Sequence, residues 1–568
     1  MEAGRRNIPE IFNRANKLKV PHFQRSYVWQ EEQWERFLED MQYAARANCP
    51  YFMGSVILKQ QETPVNQVNI RTIIDGQQRL TTIILFFKAL FNKNNSAEKF
   101  SGIFTMYSEE IILEHNYSDK SVFEKIFFSR EIELKEKNSQ IYKCYDYFLK
   151  NIVANEINPN HLLSNILFVG IDLQYYEDEQ QIFDTINSLG VMLTTAELLK
   201  NYLFKEDIDF YNKNWRDVFE RDDEIKNYWD QEVTSGRNIR TNIDLFLQSY
   251  LLIKIQGKDI NVSAEDKERY FKIDSVFNSY KEFIAKYGIK KDLVINELKD
   301  YALIYKNIIN PRIIEQDLDR DDYAQRLNLV MFGLDTATII TYVLYVAKKA
   351  IDQEEKNKIF RYLEAYLMRR IICKRTTKNY NQLFRSFINN EVDTLEKIKE
   401  IIETKEEKIN SMPSDKDVEE GFRESDLTNK QAKGILYLIE RSIRNNLNAT
   451  ELKYFNEYSL EHVMPKQWRN NWNGDNLVND QAKQRDNLIL TLGNLTLITK
   501  QLNSSIRDSG WVAKKNGNVR NHGLMEYAQG IEIFSKYMQR ENWDEDSVTE
   551  RGQELFRYSV NNVWNLEF

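Results

Sequence analysis

The amino-acid sequence predicts a mainly helical α+β protein. Only 8 prolines and 19 glycines occur among 568 residues, which argues against an all-β architecture and against long linkers. Residues 52–58 and 68–74 are rich in β-branched and other apolar residues and are typical of strands. Residues 80–91 and most of residues 207–400 carry apolar side chains at helical spacing. We therefore expect an α/β domain first, then a helical middle, and short strands again near the C-terminal end.

Length and composition limit the number of domains. A chain of 568 residues holds roughly three or four domains of ordinary size. With 31 Tyr, 31 Phe and 9 Trp, it has ample material for sizeable cores. A polar stretch that begins Ser-Met-Pro-Ser-Asp at residue 411 indicates a linker. We predict domains at 1–205, 206–410 and 431–568, with the linker at 411–430.

Cysteine content and apolar segments favour a cytoplasmic protein without a membrane anchor. Cys49, Cys144 and Cys373 are odd in number and far apart, so they indicate neither a disulfide framework nor a paired zinc motif. Residues 1–9 lack the apolar core of a signal peptide, and the apolar run 337–347 is too short to span a bilayer. The net charge of −8 neither indicates nor excludes nucleic-acid binding, because binding depends on local patches.

The turn between the second predicted strand and the helix after it is the first candidate site. Asp75 and Gly76 lie at this junction, where free backbone N–H groups at a helix N-terminus attract anions. Arg79 adds a positive charge in the first helical turn, and Gln24 and Arg25, which follow an earlier strand, could reach the same ligand. A phosphate-bearing ligand is the natural candidate. The alternative is that Asp75 only caps the helix and Arg79 only forms a surface ion pair.

Three separated blocks of sequence resemble a known family. They are Phe-Gln-Arg-x-Tyr-x-Trp at 23–29 with Gly54-Ser55, Asp-Gly-Gln-Gln-Arg-Leu-Thr-Thr at 75–82, and Gln-Ile-Phe-Asp-Thr-Ile-Asn-Ser-Leu-Gly at 181–190 with Glu-Leu-Leu-Lys-Asn at 197–201. Over about the first 205 residues, the chain is similar to the DGQQR-motif domain of GmrSD-type restriction proteins. The resemblance implies a fold like that of ParB and sulfiredoxin, with nucleotide binding and hydrolysis. It implies a nucleotide site formed by Gln24, Arg25, Asp75, Gly76, Gln77, Gln78 and Arg79.

The residue types in this motif suit a nucleoside triphosphate. Asp75 could hold a metal-bound phosphate or orient a water molecule, while the side-chain amides of Gln77 and Gln78 offer donors and acceptors. Arg25 and Arg79 would neutralise phosphate charge. The sequence contains no Walker-type glycine-rich loop with Lys-Ser/Thr, which argues against an ordinary P-loop ATPase. The choice among ATP, GTP and UTP stays open.

A basic window in the helical middle is the candidate DNA contact. Residues 365–388 contain no acidic residue, although the chain as a whole is acidic. Lysines and arginines on one face can follow a phosphate backbone without reading sequence. The alternative is an ordinary helix–loop–helix whose charges pair with acidic neighbours. The predicted DNA-binding residues are Arg369, Arg370, Lys374, Arg375 and Lys378.

The last 140 or so residues carry a second resemblance. Two strand-like pieces, which carry Glu461-His462 and Gly493-Asn494, are followed by Asn503 and a short helix. This order is similar to the ββα-metal unit of HNH nucleases, in the H-N-N version found in the nuclease half of GmrSD-type enzymes. The resemblance covers residues 431–568, where Trp543, Val548, Arg551 and Leu555 are similar to the closing helix of that family.

The family pattern implies a role for each of these residues, and the chemistry needs those residue types. His462 would be the general base, since an imidazole titrates near neutral pH. Glu461 and Asn503 would hold Mg²⁺ or Mn²⁺, which prefer oxygen ligands. Asn494 would fix the loop that carries His462, and Lys514, or its neighbour Lys515, would support the charge of the transition state.

We interpret the chain as a nucleotide-regulated, metal-dependent DNA endonuclease with NTPase activity, from prokaryotic antiphage defence of the type IV restriction class. The resemblance implies restriction of modified phage DNA, such as DNA with glucosylated or hydroxymethylated cytosine, or with phosphorothioate linkages. One ββα-metal site cuts one strand per event, so we expect nicking, or double-strand cleavage by a homodimer. The alternatives are a nucleotide-controlled protein that binds DNA or a partner without cutting, and an HNH nuclease that cleaves RNA.

Overall fold

The computed structural model of the chain divides into two units, Met1–Tyr211 and Asn212–Phe568. It describes residues 2–21, 24–64, 67–177, 194–204, 208–235, 238–272, 276–404, 409–444, 451–470, 472, 477–499, 509–518, 521–527 and 531–567. Within this part of the chain, every helix falls short of the length and apolar character that crossing a bilayer requires. The mainly helical α+β architecture predicted from the sequence is confirmed.

A mixed six-stranded sheet organises the first unit. Its strands are β1 Glu2–Asn7, β2 Asn16–Lys19, β3 Tyr51–Gln60, β4 Asn69–Asp75, β5 Leu113–Glu114 and β6 Ile166–Leu173. They lie side by side in the order β1-β6-β3-β4-β2-β5. β3 pairs antiparallel with β4 and parallel with β6. The two strands predicted from the β-branched runs are therefore neighbours in the sheet.

Helices supply most of the core of the first unit. They are α1 Ile8–Ile11, α2 Glu31–Ala47, α3 Gln77–Lys93, α4 Ala97–Phe104, α5 Tyr117–Phe127, α6 Gln140–Asn151, α7 Pro159–Asn165, α8 Thr195–Phe204 and α9 Ile208–Tyr211. α3 carries buried side chains on nearly every side, so it lies within the core and not on its surface. Its Phe86 is fully buried and packs edge-on against Phe37 of α2. The predicted strand–turn–helix is confirmed, and its turn is anchored on a core helix.

The second unit is largely helical, as the middle of the sequence predicts. Within it, Arg326 and Glu364 form a buried bidentate ion pair, in which Nε and Nη2 of the arginine donate to the two carboxylate oxygens at 2.8 and 2.6 Å. Its helices are α10 Asp217–Phe219, α11 Asp223–Asp230, α12 Asn242–Gln256, α13 Ala264–Lys272, α14 Val276–Lys286, α15 Lys291–Ile308, α16 Tyr323–Asn328, α17 Ile340–Lys349, α18 Gln353–Ile372, α19 Tyr380–Asn389, α20 Leu395–Thr404, α21 Asp415–Glu424, α22 Asn429–Ile443, α23 Asn479–Leu488, α24 Trp511–Asn516, α25 Leu524–Tyr527, α26 Glu532–Ser535 and α27 Glu545–Tyr558.

The structure corrects the linker predicted at 411–430, because helix α21 lies within these residues. Ser414 caps this helix by accepting a hydrogen bond from the backbone N–H of Asp417. Val418 and Phe422 are buried, and they give the helix an apolar face despite its many charges. The predicted linker is wrong because a polar composition does not exclude a helix: the two buried apolar residues are four apart and so lie on one helical face. The domain boundaries predicted at residues 205 and 430 stay predictions.

Short strands lie among the helices of the second unit. They are β7 Glu232–Ser235, β8 Asn238–Thr241, β9 Tyr458–His462, β10 Leu495–Thr499, β11 Gly517–Asn518 and β12 Asn521–His522. β9 and β10 pair antiparallel, with helix α23 in the connection between them, and we refer to this strand pair as the hairpin. Glu461 stands opposite Thr496, and His462 stands opposite Leu495. The helix α24 follows in the chain. The order strand, strand, short helix is the one expected from the sequence.

Candidate functional site

The turn that joins β4 to α3 depends on a glycine. Gly76 precedes α3 with φ of +106°, a backbone conformation that residues other than glycine rarely adopt. A Cβ atom at this position would also lie 3.0 Å from Cγ2 of Val56. The absence of a side chain therefore lets the chain turn from the sheet into the helix, with the first N–H groups of α3 at the turn.

Arg79 lies across this turn. Its Nη2 atom donates to the carboxylate of Asp75 at 2.7 Å and to the backbone oxygen of Ser55 at 2.7 Å. Its Nε atom is buried and has no hydrogen-bond partner among the described residues. Gly54 lies beside the guanidinium and has φ of +99°, a backbone conformation that favours glycine, although a Cβ atom there would make only an ordinary contact of 3.9 Å with Cζ. Asp75 and Arg79 thus form an ion pair, and the N–H of the buried Nε remains unused among the described residues.

The predicted glutamines hold the neighbouring loop in place. Gln24 Nε2 donates to the backbone oxygen of Ile73 at 2.7 Å. Gln77 Nε2 donates to the backbone oxygen of Arg25 at 2.9 Å, and Gln78 Oε1 accepts from the backbone N–H of Val28 at 2.9 Å. These contacts bring Gln24, Arg25 and the Asp75–Arg79 turn together, as the sequence suggested. They also give the amides a positioning role that the sequence did not predict.

Two residues beside this loop were missed by the sequence analysis. Asn116 Nδ2 donates to the backbone oxygens of Gln24 and Arg25, at 2.9 and 3.3 Å. The only sequence signal that could have indicated Asn116 is that of a helix cap. In the structure its side chain does cap α5, by accepting from the backbone N–H of Asp119. His115 is the second residue. It is buried, with Nε2 3.3 Å from Thr81 Oγ1 and its ring against Phe123.

Protonation of His115 is expected to destabilise the first unit. Burial lowers the pKa of His115 to about 3, from 6.5 in the unfolded chain. Between these values the unfolded chain binds a proton that the folded chain excludes, so stability falls as pH falls below 6.5. The loss is about 1.4 kcal/mol per pH unit, or roughly 2 kcal/mol by pH 5.

The measurement is thermal unfolding of the full chain between pH 7.5 and pH 5, for the wild type and for His115→Asn. The asparagine removes the titrating group while keeping a polar side chain next to Thr81. We expect the wild type to lose more stability than the variant over this range. Equal slopes for the two proteins would contradict the assignment.

In the second unit, His462 is the last residue of β9. Burial, followed by the positive charges of Lys466 and Lys514, lowers the pKa of His462 to about 4. The imidazole is therefore neutral at pH 7 and has a nitrogen that can accept a proton. A neutral imidazole at a strand end has the protonation state that a general base requires.

Lys514 does not have the position predicted for it. Its side chain is only 1% exposed, and its ammonium forms an ion pair with the carboxylate of Glu461. It also donates to the backbone oxygen of His462 at 2.8 Å. The prediction that Lys514 contacts the transition state is wrong, because a buried ammonium that is committed to these two oxygens cannot meet a substrate phosphate. Lys514 instead holds the end of β9.

Glu461 offers a hard oxygen donor for a metal ion. Thr496, opposite Glu461 in the hairpin, has a buried hydroxyl without a hydrogen-bond partner in the described part of the chain. A carboxylate and a hydroxyl are oxygen ligands of the kind that Mg²⁺ and Mn²⁺ prefer. An ion bound there would share the Glu461 carboxylate with Lys514. The other predicted ligand, Asn503, lies outside the described residues. Among the described residues, no group of three His, Cys, Asp or Glu side chains could hold a metal.

Asn494 joins the two halves of the hairpin. Its Oδ1 atom accepts from the backbone N–H of Met464 at 2.8 Å, and its Nδ2 atom donates to the backbone oxygen of the same residue at 2.8 Å. Its own backbone oxygen accepts from Val463 N at 2.9 Å. The two residues after His462 are therefore held by Asn494, which is fully buried.

The basic window of the middle region is divided between interior and surface. Arg369 and Arg370 are 2% and 1% exposed. Arg369 donates to the backbone oxygen of Trp564 and to Asp415, while Arg370 donates to the backbone oxygens of Ser411 and Thr376. The DNA-contact prediction is wrong for these two arginines, because they are buried in hydrogen bonds within the protein. It stays a prediction for the exposed residues Lys374, Arg375 and Lys378.

Comparison with protein families gives two matches. The model of the N-terminal domain of GmrSD restriction endonucleases matches residues 8–204. The model of the C-terminal domain of GmrSD restriction endonucleases matches residues 412–558. The two matches together cover more than half of the chain, and each contains one of the two sites described above. No curated protein matches the chain.

Proposed function

Because the chain belongs to the GmrSD restriction endonuclease family, we propose that it is a nucleotide-regulated, metal-dependent nuclease that restricts modified DNA in prokaryotic antiphage defence. The observation that most strongly supports a nuclease site is the arrangement around His462. A neutral imidazole, His462, ends a strand beside the Glu461–Lys514 ion pair, and Asn494 holds the loop that follows. We assign the chemistry to this hairpin and regulation to the turn at Asp75–Arg79.

In the proposed reaction, His462 takes a proton from the water molecule that attacks the phosphodiester. Burial favours the neutral imidazole over the imidazolium, so the base is ready at neutral pH. Lys514 fixes the Glu461 carboxylate and the backbone oxygen of His462, and Asn494 fixes the next two residues. When Mg²⁺ or Mn²⁺ is bound at Glu461 and Asn503, it supplies positive charge for the phosphate and the leaving oxygen.

We propose that the turn at Asp75–Arg79 binds the phosphates of a nucleoside triphosphate. The N-terminus of α3 offers N–H groups, and Arg79 has a donor, Nε, that nothing in the described structure uses. Arg25 is held at the same turn by Gln77 and Asn116. Phosphate oxygens would accept from these groups and compete with Asp75 for Arg79. Such competition would let the nucleotide break the Asp75–Arg79 ion pair and so change the conformation of the turn.

Arg79→Ala is expected to lower nucleotide hydrolysis by roughly 10²- to 10³-fold, the range found when one charge-stabilising donor is removed. The ion pair with Asp75 is partly exposed, so folding should be affected by about 1 kcal/mol or less. The measurement is release of phosphate from ATP, GTP and UTP, with circular dichroism to check the fold.

Arg71→Ala is the matched control for Arg79. Arg71 also pairs with an aspartate, Asp172, at 2.9 Å, has a similar exposure, and likewise has an unpartnered Nε. It lies on β4 away from the turn, so hydrolysis should be retained. Equal hydrolysis by wild type and Arg79→Ala would remove the turn from the nucleotide site.

One set of assays separates the proposed function from its alternatives. The purified chain is incubated with unmodified plasmid, glucosylated or hydroxymethylated phage DNA, phosphorothioate DNA and RNA. Each is tested with Mg²⁺, Mn²⁺ or a chelator, and with or without nucleotide. We expect metal-dependent cleavage of modified DNA that nucleotide alters. Binding without cleavage under every condition would favour the binding-protein alternative, and cleavage of RNA alone would favour the RNA nuclease.

Lys374, Arg375 and Lys378 are the proposed contacts to the DNA backbone. They are exposed in the segment between α18 and α19. Arg375 lies 3.5 Å from Asp417, an exposed ion pair that DNA phosphates can replace at little cost. Contacts of this kind weaken with salt, because bound phosphates release counterions. Sedimentation of the protein with and without DNA would show whether a homodimer forms for double-strand cleavage.

A further inference from the structure

The helix α27 and the residues just before it contact the turn that carries Asn494. Trp543 Nε1 donates to Asn494 Oδ1 at 3.0 Å. This oxygen is the one that accepts from Met464 N. The indole of Trp543 is buried, so no water competes for the bond. One side chain near the C-terminal end thus acts on the residue that holds the loop after His462.

Trp543 also determines which way the amide of Asn494 points. An asparagine amide has nearly the same shape after a half-turn that exchanges its oxygen and nitrogen. The indole N–H can only donate, so it requires the oxygen on its side. With the amide in this orientation, Oδ1 meets Met464 N and Nδ2 meets the backbone oxygens of Met464 and Ile489. The reversed amide would place donor against donor.

Arg551 of α27 holds the backbone on both sides of Asn494. Its guanidinium is 0% exposed, and one nitrogen, Nη1, lies 3.2, 2.8 and 2.7 Å from the backbone oxygens of Leu492, Gly493 and Leu495. Its charge also lies against the ring of Phe534. Burying a guanidinium is costly unless it is well bonded. Here the three Nη1 contacts converge on a single turn, and Nε donates to the backbone oxygen of Ile533 at 3.3 Å.

The backbones of α27 and this turn are also in direct contact. A Cβ atom at Gly493 would overlap the backbone oxygen of Val548 and lie 3.2 Å from Gly552 N. Only glycine permits this approach. Trp543, Arg551 and the close contact at Gly493 therefore fix the turn 492–495 by three separate sets of contacts.

We propose that Trp543 and Arg551 are positioning residues for the nuclease reaction. Through Asn494 they set the position of Val463 and Met464, and thereby the direction in which the imidazole of His462 points. This inference rests on the proposed function of the hairpin. It adds that the geometry of the base is set by the C-terminal helix and not by the hairpin alone.

Trp543→Phe tests the proposal, because it removes the N–H and keeps most of the aromatic packing. Trp511→Phe is the matched control. Trp511 is buried in the same cluster, with its ring centroid 5.7 Å from that of Trp543, but its N–H donates to the backbone oxygen of Arg540 at 3.2 Å. Both variants lose one indole hydrogen bond to an oxygen acceptor, and only Trp543→Phe loses the bond to Asn494.

We expect Trp543→Phe to lower kcat for cleavage by about tenfold, with KM for DNA unchanged, since a lost hydrogen bond of about 1.4 kcal/mol corresponds to this factor. Trp511→Phe should retain the kcat of the wild type. A second readout is the ¹³C–¹H signal of the His462 ring. The chain has five histidines, so this signal is identified by its absence in His462→Gln. It should shift in Trp543→Phe and stay in place in Trp511→Phe.

Equal losses of kcat and thermal stability in both variants would show a merely structural role and overturn the proposal. An unchanged kcat and an unchanged His462 signal in Trp543→Phe would also overturn it. Arg551→Lys provides a second test if it folds, with the same expected displacement of the His462 signal. If the wild type cuts no nucleic acid, the proposed function fails, but the His462 signal still decides whether Trp543 positions the loop.

Discussion

Replacing His462 with alanine is expected to abolish DNA cleavage, with a fall in kcat of about 10²- to 10⁴-fold, the range typical of general acid–base catalysis. The imidazole of His462 is neutral at pH 7 and can accept a proton from water, while the neighbouring Glu461 carboxylate is paired with Lys514. The measurement is cleavage of modified DNA under single-turnover conditions, with Mg²⁺ or Mn²⁺ present.

The control for this experiment is His161→Ala. His161 is partly buried in α7 of the first unit, where its Nδ1 lies 3.2 Å from Asn165. Cleavage should be retained in this variant, and nucleotide hydrolysis should be retained in both. If His462→Ala cuts as fast as the wild type, His462 is not the base and the site lies elsewhere.

Gly493→Ala is expected to cause the largest loss of stability. The added methyl group would overlap the backbone oxygen of Val548, and backbone atoms cannot move aside as a flexible side chain does. Overpacking of this kind costs about 1–3 kcal/mol and sometimes more. We expect the upper end of this range, because neither side of the contact is a side chain. Cleavage should be lost as well, since Asn494 is the next residue. Chemical denaturation and DNA cleavage are the measurements.

Gly552→Ala is the matched substitution on the other side of the same contact. A Cβ atom at Gly552 meets nothing closer than Gly493 Cα at 3.8 Å, an ordinary contact distance. Alanine also favours a helix over glycine by about 1 kcal/mol, so this variant should be as stable as the wild type or more so. If Gly493→Ala unfolds at the same denaturant concentration as Gly552→Ala, the close approach of α27 to the turn is not real.

Local sequence signals predicted the elements on which both sites lie. The β-branched run before Asp75, the glycine at position 76 and the helical spacing after it specify a strand, a turn and a helix through contacts between near neighbours. The same kind of signal predicted the two strand-like pieces that carry Glu461-His462 and Gly493-Asn494, although the second strand begins only at Leu495. Such signals depend on the backbone preferences of a few consecutive residues, so a single sequence contains them.

The linker at 411–430 and the basic window show where this reasoning fails. Both predictions rest on charge, and charge in a sequence does not reveal solvent exposure. Val418 and Phe422 bury one face of a highly charged helix. Arg369 bonds to Trp564, 195 residues away, and becomes part of the interior. Polar side chains are buried when the fold supplies partners, and those partners are distant in sequence.

Local patterns and family resemblance were sufficient to predict the family, the mainly helical α+β class, the turn at Asp75–Arg79 and the strand that ends at Glu461–His462. The roles of the surrounding side chains emerged only from the tertiary structure. It commits Lys514 to Glu461 across 53 residues and Gln77 to Arg25 across 52. It also brings Trp543 to Asn494 across 49 residues. These roles depend on tertiary structure because a side chain's charge state and hydrogen bonds are set by its neighbours in space, and the folded chain brings those neighbours together from its whole length.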